Sequence, residues 1–335
     1  MDVKKLSIEQ LAGQRLMVGF EGKEISPEIR HLIQDIKIGG VIYFVRNLGS
    51  PGQIKRLSAS LQELASAAGL PPLLIAVDQE GGEVARLKKP FTLFKGNPSM
   101  QGEADATRFA EITAEELGGV GINMNMAPVV DVAPKDMDST MSGRSFGSDP
   151  GWVSRLGIAV IQQFQSQNIM AVAKHFPGIG RTIIDSHLEM PTLDDDLSGL
   201  EKFDLIPFDA AVQNEVSGIM LSHIFYPRLD PEWPASLSRK IAGDLLRKKI
   251  GYEGVVLTDD LEMGAIEKHY TIETAIPCIL AADIDIALIC KTMSKIESAH
   301  EKICKCLAES GEMMQKGIES AERIMKLKTN YLSGC

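Results

Sequence analysis

The chain has 335 residues, 44% of them hydrophobic and 24% charged, which excludes intrinsic disorder, collagen-like repeats and a disulfide scaffold. Lysine and arginine total 35 against 45 aspartates and glutamates, a net charge of −10, and no basic patch of the kind a nucleic-acid partner requires is present. No stretch reaches the roughly 18 apolar residues that a membrane-spanning helix needs.

The opening residues Met1-Asp2-Val3-Lys4-Lys5-Leu6-Ser7 contain no long apolar run, so no signal peptide is expected. The five cysteines, Cys278, Cys290, Cys304, Cys306 and Cys335, are odd in number and crowd the C-terminal end. They read as reduced thiols and, with the missing signal, predict a cytoplasmic protein. Cys304-Lys305-Cys306 has no matching Cys or His pair, so no metal site is expected there.

Short β-branched apolar runs alternate with helical patterns along the chain. Strands are expected over 15–20 and 39–44, then a helix over 51–68 that Gly69 closes. The third strand, 73–78, reads Leu73-Leu74-Ile75-Ala76-Val77; such continuous hydrophobicity marks a strand covered on both faces, hence a parallel sheet. A helix over 103–119 leads to a strand over 123–132, and one over 150–168, opened by Pro150, leads to a strand over 170–176. Next come a helix over 200–214, a strand over 218–223, and a helix over 236–249 with Arg247-Lys248-Lys249 on its solvent face. A strand over 254–260, a helix over 271–281 and a strand over 283–289 follow, and helices over 292–308 and 311–329 form the tail.

Eight strand–helix repeats predict an α/β fold, a (β/α)8 TIM-type barrel, over an open doubly wound sheet. Gly178-Ile179-Gly180 comes late and lacks the third glycine of a dinucleotide fingerprint. No linker rich in Pro, Ser or Gly divides the chain. A single catalytic domain over 1–335 is therefore expected, with the barrel at about 8–290 and a C-terminal helical tail at about 291–335 packed on it.

Chemistry in such a barrel sits at the C-terminal ends of the strands. Those ends carry Asp78-Gln79-Glu80-Gly81-Gly82, Asp131, Lys174-His175-Phe176-Pro177-Gly178, Ser222-His223 and Thr258-Asp259-Asp260, with Gly143-Arg144-Ser145-Phe146-Gly147 in the loop beyond the fourth. Converging Asp, Arg, Lys and His suit a hydroxyl-rich ligand, because carboxylates accept from sugar hydroxyls and the cations donate to ring substituents. A strand-end carboxylate can attack an anomeric carbon if a second group protonates the leaving oxygen. Asp185-Ser186-His187 offers that second group: residues two apart in an extended segment point the same way, and a neighbouring carboxylate makes an imidazole a better acid/base.

The run Lys174-His175-Phe176-Pro177-Gly178-Ile179-Gly180-Arg181-Thr182 followed by Asp185-Ser186-His187 resembles the signature of the β-N-acetylhexosaminidases of glycoside hydrolase family 3. Asp78-Gln79-Glu80-Gly81-Gly82, Ala127-Pro128-Val129-Val130-Asp131-Val132, Arg144-Ser145-Phe146-Gly147 and Gly254-Val255-Val256-Leu257-Thr258-Asp259-Asp260-Leu261-Glu262-Met263 match in family order. The resemblance covers about residues 8–290. It implies that Asp259 is the nucleophile of a retaining exo-β-N-acetylglucosaminidase, with Asp185 and His187 as the acid/base dyad. It also implies that Asp78, Arg86, Arg144, Lys174 and His175 grip a terminal N-acetylglucosamine, and it suggests muropeptide fragments of cell-wall recycling as substrates. Three residues depart from the family pattern: Ile179 stands for His or Asn, Arg181 for a frequent Asp, and Glu83 for Arg. Glu83 is expected to face away from Asp78.

Asp259 and Asp260 are adjacent, so strand alternation allows only one into the mouth, and the motif selects Asp259. His175 beside Lys174 reads as a ligand contact, against a satisfied core histidine. Asp131 is expected to orient loops from below, His223 either supports the site from behind or contacts the ligand, Trp233 either flanks the sugar or covers the rim, and Asp283 and Asp285 read as structural. No cofactor and no metal are expected; the partners implied are a small carbohydrate substrate, with no nucleic acid, no membrane and a monomeric chain. Three readings of other kinds stay open: a family 3 β-glycosidase or phosphorylase of other sugar specificity, a metal-dependent hydrolase using His175, His187, His223 and Asp259, and a catalytically silent sugar-binding barrel.

Overall fold

The computed structural model describes residues 3–186 and 188–332. Eight parallel strands form a closed barrel: β1 (Leu16–Val18), β2 (Gly40–Tyr43), β3 (Leu74–Val77), β4 (Met124–Asn125), β5 (Met170–Phe176), β6 (Gly218–Leu221), β7 (Val255–Asp260) and β8 (Ile286–Ile289). Consecutive strands are neighbours all the way round, and the ring closes where Leu16, Met17 and Val18 pair with Ala287, Leu288 and Ile289. Every strand residue is buried except the last two of β7, Asp259 and Asp260, as expected for strands with side chains filling the barrel on one face and helices covering the other.

The helices are α1 (Ile8–Gln14), α2 (Pro27–Gln34), α3 (Pro51–Ala67), α4 (Glu103–Gly119), α5 (Pro150–Ser166), α6 (Leu197–Lys202) and α7 (Leu205–Gln213). They are followed by α8 (Gly264–Glu267), α9 (Ile272–Ala281), α10 (Met293–Glu309) and α11 (Gly311–Leu332). Three of them start alike: Ser26, Ser50 and Asp149 cap α2, α3 and α5 from the residue before a proline, each accepting a hydrogen bond from the third helical amide. Proline there costs nothing, because the amide it lacks has no partner inside the helix.

The structure departs from the sequence reading at several elements. Short α1 and α2, of 7 and 8 residues, fall below the length at which periodicity stands out. The strand expected over 123–132 contracts to Met124–Asn125; Pro128 has no amide to donate, and beyond it the chain keeps to β5 through an isolated bridge in which Lys174 donates to the Pro128 carbonyl and accepts from the Val130 amide. Side chains reinforce the pairing with the β3 segment: Asn123 bonds the backbone of Leu73 and Ile75, and Asn125 both donates to and accepts from Gln79. The helix expected over 200–214 breaks into α6 and α7 at Phe203–Asp204, where Asp204 turns into the interior. The helix expected over 236–249 becomes a single turn, Ala235–Leu237, and a π-helical segment, Lys240–Lys249. Arg247 does not face solvent: its guanidinium lies 2.7 Å from Asp285 and donates to the carbonyls of Tyr252, Asp283 and Gly254. Asp285, fully buried, also takes Arg323 of α11 and thereby ties the tail helix to the start of β8.

Helix α10 packs on α9 and α1, and α11 lies against α1, α9 and α10. At the N-terminal end of the strands Lys328 of α11 is 3% exposed, donating to Gln14 Oε1 at 2.7 Å and to the Gly39 carbonyl at 2.8 Å, with no carboxylate partner among the described residues. Burial lowers its pKa to about 7. An unfolded chain keeps the ordinary lysine value, so between pH 7 and about 10.4 unfolding takes up a proton and stability rises with pH. Lys328→Met is expected to remove that slope, its stability relative to the parent declining from pH 7 to pH 9.5 in urea titrations. Among the described residues no helix is long and apolar enough to cross a membrane.

Candidate active site

Beyond β3 the chain makes a tight hairpin, 79–81 pairing antiparallel with 84–85, through two glycines in the left-handed region, Gly81 (φ 86°) and Gly82 (φ 62°). The turn brings Arg86 back over the strand end, its Nη2 3.2 Å from Asp78 Oδ2. Glu83, at the turn, is exposed beside Gly143 and does not border the mouth that Asp78 lines.

From β5, Lys174 Nζ reaches both acids of this segment, Asp78 Oδ1 at 2.8 Å and Glu80 Oε1 at 2.7 Å. Arg144, from the loop beyond β4, grips Glu80 with two parallel bonds of 2.9 and 2.8 Å. Burial works to raise the pKa of Asp78 and Glu80, but Lys174 with Arg86 or Arg144 outweighs it and holds both below the ordinary carboxylate range. Lys174 responds in kind: burial opposes its charge, Asp78 and Glu80 overcome that, and its pKa is raised. It is therefore an ammonium donor, not the neutral amine a Schiff base requires. The network holds three cations and two carboxylates, four of them brought by β3 and β5 segments far apart in sequence.

Adjacent strand residues point to opposite faces, yet Lys174 and His175 both line the cavity. The register of β5 against β6 shifts between Lys174 and Phe176, which absorbs one residue and turns both inward. Below His175 sits Asp131, fully buried. One of its oxygens takes the His175 ring Nδ1 at 2.8 Å and backbone amide at 3.2 Å; the other takes the Ile179 amide at 2.8 Å. That fixes the imidazole and the following turn together. Gly180 closes the turn: a Cβ there would fall 2.0 Å from the Val132 carbonyl, so only glycine fits.

At the end of β7 both Asp259 and Asp260 border the cavity, contrary to strict alternation. The pairing of β7 with β8 slips, Leu257 opposite Ile286 but Asp260 opposite Leu288, so the strand bulges at its end. Asp260 Oδ1 is occupied by the amides of Glu262 and Cys290, at 3.1 and 3.2 Å, while Asp259 accepts only the Asp260 amide among the hydrogen bonds described. Burial tends to raise the pKa of Asp259, but His223, His175 and Lys174 hold it below the ordinary range. Burial, with Asp259 and Glu262 as like-charged neighbours, pushes Asp260 up to about 6. His223 stands behind: its ring bonds Ser236 Oγ at 2.7 Å and the Asp260 carbonyl at 2.8 Å, and it does not border the cavity. One of the four donors that the metal reading needs is thus directed elsewhere.

The loop after β5 brings Asp185 and Ser186 to the edge of the same cavity, and the Ala265 amide holds the Ser186 carbonyl at 3.1 Å. Asp185 is exposed; His187 lies outside the described residues. Trp233 packs on Tyr270, ring centroids 5.5 Å apart, and does not line the cavity. The cavity encloses about 450 Å³, room for one sugar ring with part of a second, and collects Asp78, Arg86, Arg144, Lys174, His175, Asp185 and Asp259. Glu80, only 2% exposed, was assigned no role from sequence. Its position two residues from Asp78 in an extended segment was the signal that both face the same way.

A family model, Glycosyl hydrolase family 3 N terminal domain, matches residues 6–327. Beta-hexosaminidase A of Pseudoalteromonas piscicida is 35% identical over 367 residues, covering 97% of this chain and 61% of that protein. Among solved structures, a glycoside hydrolase family 3 beta-N-acetylglucosaminidase from Paenibacillus sp. str. FPU-7 superposes with a TM-score of 0.94 at 36% identity, over 98% of this chain and 64% of that one. NagZ from Neisseria gonorrhoeae, in complex with N-trifluoroacetyl-D-glucosamine, superposes with a TM-score of 0.77 at 26% identity, over 92% of this chain and 98% of that one. The chain thus spans less than two thirds of the first two relatives' length.

Proposed function

The chain belongs to glycosyl hydrolase family 3, and we propose that it is a retaining exo-β-N-acetylglucosaminidase, with Asp259 as nucleophile and Asp185–His187 as acid/base. The observation that carries this reading is the contrast between two neighbouring carboxylates: Asp259 is held ionised on the cavity wall, while Asp260 is tied to two amides and shifted to about 6. Opposite them Asp78, Lys174, Arg86 and Arg144 present fixed donors and acceptors to the hydroxyls and acetamido group of a terminal sugar.

In the first step an Asp259 oxygen attacks C1, the C1–O bond to the leaving group breaks, and protonated His187 gives its proton to the departing oxygen. In the second, His187 takes a proton from water as the water oxygen attacks C1, releasing Asp259 and the sugar with its configuration retained. Asp185 favours the imidazolium in the first step. The muropeptides of cell-wall recycling are the proposed substrates, acted on by a monomeric enzyme in the cytoplasm, with no cofactor.

His187→Ala is expected to lower kcat/KM by about 10²–10⁴ on phenyl N-acetyl-β-glucosaminide, whose leaving group needs a proton. Glycosylation by the dinitrophenyl glycoside should be spared, because that leaving group departs unprotonated. Equal losses on both would refute the acid role. Product analysis on a muropeptide disaccharide, with and without phosphate, separates hydrolysis from phosphorolysis: a sugar 1-phosphate in the phosphate arm would replace the hydrolase assignment.

A further inference from the structure

The loop that carries Asp185 leaves the barrel after Phe176, makes its excursion from Arg181 onward and returns through Asp194, Asp195 and Asp196 to α6. The apolar side chains described at its tip are not packed: Ile183, Ile184 and Leu188 are 67%, 46% and 66% exposed. Its position over the cavity therefore falls on polar tethers, and the strongest of these is at its root. The Arg181 guanidinium spreads over two acids, Asp195 on the return path and Asp204 at the break between α6 and α7. Nη1 lies 2.7 Å from Asp195 Oδ2, Nε lies 3.2 and 3.0 Å from the two oxygens of Asp204, and Nη2 pairs with Asp204 as well. The cation also sits over the Phe203 ring, 5.7 Å from its centroid. Asp204 is wholly buried directly beneath Gly178, where a Cβ would fall 2.6 Å from the Asp204 Cβ. One side chain thus joins the first residue of the excursion to its far end and anchors both to the interior.

We infer that Arg181 is a positioning residue, clasping Asp195 and Asp204 so that the excursion presents Asp185 over the mouth of the cavity. A planar fork can hold two carboxylates at once in fixed directions; a lysine ammonium keeps the attraction and loses the directions. Cutting the clasp leaves the excursion held by the Thr140 amide on the Thr182 carbonyl, the Thr192–Phe225 bridge, the Ser186–Ala265 bond and the exposed Arg228–Asp194 and Lys268–Glu189 pairs; none of these joins its two ends, and exposed pairs hold weakly. The inference rests on the proposed acid/base role of this loop.

The test compares Arg181→Gln, Arg181→Lys and Asp195→Asn with the parent on phenyl and dinitrophenyl N-acetyl-β-glucosaminides. Cleavage after Glu189 by a glutamate-specific protease is followed in parallel. Arg181→Gln is expected to lose about tenfold or more in kcat/KM on the phenyl glycoside, through kcat, with little change on the dinitrophenyl glycoside. Arg181→Lys should recover part of that loss, Asp195→Asn should show a smaller one of the same kind, and cleavage after Glu189 should accelerate in the order Gln, Lys, parent. Equal losses on both substrates, no loss on either, or unchanged cleavage would overturn the inference while the parent's own activity leaves the hydrolase reading standing. A parent that hydrolyses neither glycoside would refute the hydrolase reading and this inference with it.

Discussion

Asp259→Ala is expected to lower kcat by about 10⁴-fold or more on any N-acetyl-β-glucosaminide, a barrier increase of about 5.5 kcal/mol. The expectation follows from the geometry at the end of β7. Both carboxylates of the strand itself border the cavity, so proximity alone does not identify the nucleophile. Their surroundings do: Asp260 spends one oxygen on the Glu262 and Cys290 amides and titrates at about 6, whereas Asp259 stays ionised throughout the neutral range. Environments that push two neighbouring carboxyl groups apart in pKa assign them different tasks. Labelling with a 5-fluoro N-acetylglucosaminide should accordingly modify Asp259; modification of Asp260 would move the nucleophile by one residue and refute the assignment. Asp260→Asn, which retains the acceptor oxygen, should keep most activity, so the two variants together discriminate.

The second large effect is expected at Glu80. Its carboxylate is the shared counter-charge of Lys174 and Arg144, both drawn to it at 2.7–2.9 Å in a nearly water-free setting. Glu80→Gln preserves the shape and removes the charge, leaving two buried cations with Asp78 as the remaining acid of that network. Breaking a buried pair in this way costs about 3 kcal/mol of stability. The cations must then shift, and a displacement of about 1 Å in groups that position a substrate lowers kcat/KM by about 10²-fold. Denaturant titration and steady-state kinetics on the aryl glycosides measure the two effects separately. A variant that loses stability yet keeps KM and kcat would show that Lys174 and Arg144 do not grip the sugar.

The strands were legible because their cause is local. Leu74-Ile75-Ala76-Val77 is apolar throughout since each residue has barrel interior on one side or helix on the other, and all four are buried. Polar residues gathered at strand ends because only there does a barrel strand meet solvent, and Asp259 and Asp260 are the two strand residues that are not fully buried. The failures were local in a different way. Proline at 128 withholds one donor and reduces the end of a strand-like run to an isolated bridge, and a buried aspartate at 204 breaks a run patterned like one helix.

Other features depended on partners far along the chain. Lys174 meets Asp78 across 96 residues, Arg144 meets Glu80 across 64, and Arg181 meets Asp204 across 23. Arg247 looked like part of a solvated basic run and instead anchors Asp285 across 38 residues. The bulges that turn both Lys174 and His175, and both Asp259 and Asp260, to the mouth arise from how each strand registers on its neighbour once the barrel closes. Periodicity, turn chemistry and motif order are written in neighbouring residues, so the amino-acid order alone specified an eight-stranded barrel with a charged rim. Which charges pair, which carboxylate stays ionised and where the excursion after β5 is clasped were decided by closure, because burial and Coulomb energies act through distances in space that chain order does not contain.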